Sequence, residues 1–62
     1  MINITDRLRK DRRQYIEDRK NAARFAALYP NTDMGKAMAE HCRLLDAAIA
    51  NIDVALNLKE GN

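Results

Sequence analysis

Leu28-Tyr29-Pro30-Asn31-Thr32-Asp33 decides how this chain folds, because it holds the only proline in 62 residues. A proline ring disfavours the α conformation for the residue before it, so a helix arriving from the N-terminal side must stop by Leu28 or Tyr29. Beyond Pro30, the hydroxyl of Thr32 or the carboxylate of Asp33 can accept a backbone N–H and cap a new helix. The stretch predicts a turn over 29–32 between two helices.

Upstream of that turn nothing breaks a helix from about residue 5 to 28. Thr5 is the expected N-cap, which places Asp6 where a negative charge suits the helix dipole. Downstream, the second helix is expected over about 33–60, with Gly61 as its stop; the other glycine, Gly35, falls in its first turn. At 1.5 Å per residue the helices should be roughly 36 and 40 Å long, and so short a connection makes them antiparallel neighbours. No segment alternates with period two, so strands have no support. The predicted fold is all-α, one two-helix antiparallel hairpin spanning residues 1–62.

So small a chain is expected to lack a sufficient core of its own, since one core of this size rarely supplies more than about 3–5 kcal/mol. Cys42 is the single cysteine, so no internal disulfide can staple the hairpin, and a reducing interior is implied. The start of the sequence meets charged residues too early for a signal peptide, and no apolar run reaches a membrane span. A cytoplasmic protein without membrane attachment is expected. Charged residues make up 32% and hydrophobic residues 47%, a balance that suits a folded helical protein rather than a disordered one. The net charge of +2 conceals an asymmetry, with eight Lys/Arg against four Asp/Glu in residues 1–29 and three against five in residues 30–62.

Projected at 100° per residue, the second helix gathers Met34, Met38, His41, Cys42, Leu45, Ala48, Ile49, Ile52, Ala55 and Leu56 on one broad arc, with Leu44 at its edge. Val54 is a large apolar residue on its polar side. The first helix offers a narrower stripe of Ile4, Leu8, Tyr15, Ala22, Ala26 and Tyr29, flanked by Phe25 and interrupted at Asp11 and Asp18. Closing the hairpin sets Phe25 near Met38, Ala22 near His41, Tyr15 near Ala48 and Leu8 near Ala55 and Leu56. Leu45 and Ile52 then fall at the levels of Asp18 and Asp11, where they need cover from elsewhere. A homodimer forming a four-helix bundle through Met38, Leu45, Ile49, Ile52 and Leu56 is the expected source of that cover.

Chemistry-bearing residues are sparse. His41 and Cys42 are the only His and Cys, too few for a zinc site within one chain. Adjacent helical residues also diverge by about 100°, which rules against a nucleophile pair, and a partly buried histidine beside a buried thiol is expected. Asp11 and Asp18 share a face roughly 10 Å apart, each beside a cation in Arg12 or Arg19, and two thin helices imply no substrate pocket. No phosphate-binding loop is present. Neither enzymatic activity, nor a metal, nor a cofactor is expected.

Arg9, Arg12, Arg13, Arg19, Lys20 and Arg24 form the most suggestive pattern, a cationic arc on helix 1 broken by Ile16 and Ala23 and by no acid. Arg13 and Glu17 are a candidate pair at its rim. Such a ladder would span roughly 22 Å and could face the phosphate backbone of RNA or DNA. No aromatic lies on it for base stacking, and Ile16 at its centre suits a protein contact better. The expectation is a small protein–protein interaction module, a regulator or inhibitor of the kind mobile elements make, whose partner has an acidic surface. A nucleic-acid-binding regulator is the alternative.

Overall fold

Helix α1 covers Ile4–Leu28 and helix α2 covers Asp33–Glu60 in the computed structural model, which describes residues 3–60 and their side chains through residue 58. Gly61, the expected stop, lies outside the described residues. No strand occurs among them. The cap of α1 is Asn3 and not Thr5: Asn3 is extended at φ −67° and ψ 139°, and its Oδ1 accepts from the Thr5 N–H at 2.8 Å. Asparagine caps at least as well as threonine, and choosing it draws Ile4 into the helix. Asp6 keeps its place in the first turn.

The turn is built around one carbonyl and one hydroxyl. Tyr29 closes α1 by donating its N–H to Phe25 O at 3.0 Å, and its own carbonyl accepts from Thr32 N at 3.3 Å and Thr32 Oγ1 at 2.9 Å. The same Thr32 Oγ1 accepts from Gly35 N at 2.9 Å, so Thr32 is the residue that caps α2. Gly35 is buried under this knot, and a Cβ there would run into the Tyr29 carbonyl.

Two side-chain pairs show that the helices run antiparallel. Arg12 Nε donates to Asp53 Oδ1 at 2.7 Å, and Arg19 Nε donates to Asp46. Seven residues forward on α1 match seven back on α2. Between the helices lie Ala22, Cys42, Leu45 and Ile52, the buried hydrophobic residues, with Leu8, Tyr15, Met38, Ile49 and Leu56 half-buried around them. On α2 the inner positions 35, 38, 42, 45, 49, 52 and 56 alternate steps of three and four, the spacing of a coiled-coil seam.

Leu45 and Ile52 therefore differ from expectation. They are 6% and 8% exposed inside a single hairpin, not bare opposite Asp18 and Asp11. Both stand at inner positions of α2 that face α1, and beside each of them an α1 arginine crosses to the following residue, Arg19 to Asp46 and Arg12 to Asp53. Arginine stems cover apolar surface while their guanidinium groups stay in water.

The result is a single layer. Its extents are 45 × 21 × 12 Å, and the shortest is the thickness of one helix with its side chains. The radius of gyration is 14.1 Å, against about 10.5 Å for a compact chain of this length. Among the described residues, no helix is long and apolar enough to cross a membrane.

Candidate interaction surfaces

The layer has two broad faces with different chemistry. The first carries the ion pairs across the seam and most of the cationic arc. Arg12 and Arg19 are committed to Asp53 and Asp46, and hydrogen bonding to Asp46, reinforced by its charge, raises the pKa of the Arg19 guanidinium above its ordinary value. Arg9 lies 3.6 Å from Asp6 and Lys20 lies 4.0 Å from Glu17. Glu17 thus pairs with Lys20 and not with Arg13, and the arc is not clear of acids. Among the described residues, only Arg13 and Arg24 of the arc have no ion pair. Ile16 is half-buried rather than open at the arc's centre. Arg9, Arg12, Arg13, Asp53 and Leu56 line a shallow cleft of about 370 Å³ on this side.

The remaining titratable candidates are tied locally. Asp11 pairs with Arg7 at 3.7 Å and Asp18 accepts from Gln14 Nε2 at 3.0 Å, each partner standing one turn before it in place of the expected Arg12 and Arg19. Cys42 is buried, with its thiol directed at the Arg19 carbonyl at 3.6 Å. His41 is exposed, unlike the partly buried imidazole expected, because the seam runs through Cys42 and leaves its neighbour on the flank. No group of three or more His, Cys, Asp or Glu among the described residues could hold a metal ion.

The second face is the more apolar. Near the turn, a groove of about 490 Å³ opens between the helices, lined by Phe25, Met34, Met38, His41, Ala22, Asn21 and Asp18. Phe25 is 37% and Met34 57% exposed, and the Phe25 ring stacks at a tilt on Tyr29 with 4.9 Å between centroids. The register expected from helical projection sets Phe25 against Met38 and leaves Met34 simply on the apolar arc of α2. It misses the groove because projection around one axis does not show how far apart two helices stand near their turn. The signal available was the clustering of Phe25, Leu28, Tyr29 and Met34 within a few residues of Pro30, more large apolar side chains than a turn can bury.

Comparison with known proteins returns no match: no family model fits the chain, and no curated protein or solved structure is significantly similar to it.

Proposed function

We propose that this chain is a non-enzymatic protein–protein interaction module that acts as a homodimer, a regulator or inhibitor in keeping with its size. The observation that carries the reading is the groove of Phe25, Met34 and Met38 on one face of a layer only one helix thick. A single layer buries one seam and leaves such a face to water, and a second layer is what helical domains add to cover it. Exposed apolar surface of this kind is characteristic of contact sites between proteins.

A further partner would meet the opposite side, where Arg13 and Arg24 remain to pair with an acidic protein surface. That assignment is narrower than the arc in the sequence. Four of its six cations have acidic neighbours, so little free charge is left for a phosphate backbone, and binding through released counterions would be weak.

The test is the mass of the chain in solution across a concentration series, with RNA and DNA retention measured at low salt. Twice the 7.1 kDa chain mass and no retention on nucleic acid support the reading. A monomer persisting to several hundred micromolar refutes the homodimer. Tight, steeply salt-dependent retention refutes the protein-partner assignment.

A further inference from the structure

Helix α2 carries a second heptad stripe beside its buried seam. Met34, Ala37, His41, Leu44, Ala48, Asn51, Ala55 and Leu58 follow one another in steps of three and four, about a quarter turn from the direction of α1 and on the groove side. None of them is fully buried, and Met34, Leu44 and Leu58 are 57%, 61% and 71% exposed. Helix α1 has a matching stripe on the same face, Ile4, Arg7, Asp11, Gln14, Asp18, Asn21, Phe25 and Leu28. Each runs roughly 36 Å along its helix.

We infer that a second copy of this chain packs on this face about a two-fold axis perpendicular to the helices, laying α1 antiparallel on α1 and α2 antiparallel on α2. The inference rests on the homodimer proposed above and specifies its surface and orientation.

Self-complementarity of both stripes carries it. With the axis at the level of Asp46, Met34 meets the partner's Leu58, Ala37 meets the partner's Ala55, His41 the partner's Asn51 and Leu44 the partner's Ala48. On α1 the same operation pairs Ile4 with the partner's Leu28 and Arg7 with the partner's Phe25 ring, a cation over an aromatic face. It also brings Asp11 to the partner's Asn21 and Asp18 to the partner's Gln14, so each carboxylate meets an amide donor. The two midpoints, near residue 16 and residue 46, stand at nearly one level: the Cys42 thiol meets the Arg19 carbonyl, and three residues further along the antiparallel pair residue 16 comes level with residue 45. One axis therefore serves both helices.

The other face-to-face two-fold, parallel to the helices, would lay α1 on the partner's α2. Leu44 would then face the partner's Asp18, placing a carboxylate on a leucine. The groove is filled in the perpendicular arrangement, where the partner's Leu58 and Ala55 come over Met34, Met38 and Phe25.

The areas agree. A compact 7.1 kDa protein exposes about 4,100 Å², and this chain exposes 4930 Å². The thin hairpin thus exposes about 800 Å² more than a compact protein of its mass, enough surface to supply one partner's share of an interface of standard size.

Sedimentation equilibrium of Leu44→Glu tests the face, and disulfide trapping in a Cys42→Ala background tests the orientation. Leu44→Glu is expected to halve the mass, from twice 7.1 kDa to one chain, with helical circular dichroism retained. Chains carrying Leu44→Cys, mixed with chains carrying Ala48→Cys, are expected to cross-link on oxidation. Should Leu44→Glu lose its helix signal along with its mass, the disulfide result decides. A dimeric wild type that stays dimeric in Leu44→Glu and in Phe25→Glu overturns the inference while leaving the homodimer intact. So does cross-linking of Leu44→Cys to Asp18→Cys chains in place of Ala48→Cys chains. A monomeric wild type removes both.

Discussion

The carbonyl oxygen of Tyr29 occupies the space that a Cβ on Gly35 would need. That carbonyl is held in place by both the N–H and the hydroxyl of Thr32, so it cannot yield without opening the turn. In an ordinary helix, replacing glycine with alanine stabilises by up to about 1 kcal/mol. Here Gly35→Ala is expected to destabilise by about 1–3 kcal/mol, since it forces overpacking against fixed backbone. Urea denaturation monitored by circular dichroism reads the sign, and a rise in the midpoint contradicts the turn geometry.

Adjacent leucines give the second prediction. Leu45 is 6% exposed and Leu44 61% exposed. Leu45→Ala is expected to cost about 2–5 kcal/mol, comparable to the whole stability of a core this small. The variant should lose its cooperative melt at every concentration. Leu44→Ala should melt like the wild type in dilute solution and fall behind it only as concentration rises. Equal losses for the two at high dilution would contradict the burial pattern.

A third prediction concerns Arg12 and Asp53, whose side chains are 39% and 51% exposed. An ion pair so open to water couples by about 0.2–1 kcal/mol. Arg12→Ala, Asp53→Ala and their combination should yield that interaction energy, shrinking toward zero in 1 M salt. Arg12→Asp should destabilise and be rescued in part by Asp53→Arg. A coupling of zero at low salt would mean that the two charges contribute nothing to holding the hairpin.

The thiol of Cys42 supplies the fourth. It is 9% exposed and directed at the Arg19 carbonyl, so a thiol reagent reaches it only when the helices part. Its modification rate should rise with urea in step with the unfolded fraction, as for any site guarded by opening. Reaction in native buffer as fast as that of a free cysteine peptide would contradict its place in the seam.

How much of this was legible in the sequence depends on the range of the interaction. Pro30 and Thr32 act on their immediate neighbours, so the turn and the two helices could be read from them directly. Periodicity gathered Met38, Leu45, Ile49, Ile52 and Leu56 on one face of α2, but that face was expected to meet a second copy, whereas within the hairpin it lines the seam with α1 and already buries Leu45 and Ile52. What could not be read was how Leu45 and Ile52 are covered. Helical projection places Asp46 and Asp53 on the polar side of α2, and only in three dimensions do arginines from α1 arch over to them. The same blindness to side-chain reach made the arc of α1 look freely charged, when Asp6, Glu17, Asp46 and Asp53 all approach it. Asn3 and Thr5 are both residue types that cap helices and stand two positions apart, and the charged run that follows them does not choose between them.

The arginine clasps stand one heptad apart on both helices. Sliding α1 past α2 by a single residue or a single turn breaks both together. Sliding it by seven residues in the direction that brings Arg12 to Asp46 sets Arg19 level with Ala39 and leaves that pair unmade. The clasps thus work like the teeth of a vernier. Their individual strength matters less than their common stride, which penalises every misaligned hairpin, the heptad slip least of all. A chain with so short a seam gains from them a single preferred alignment.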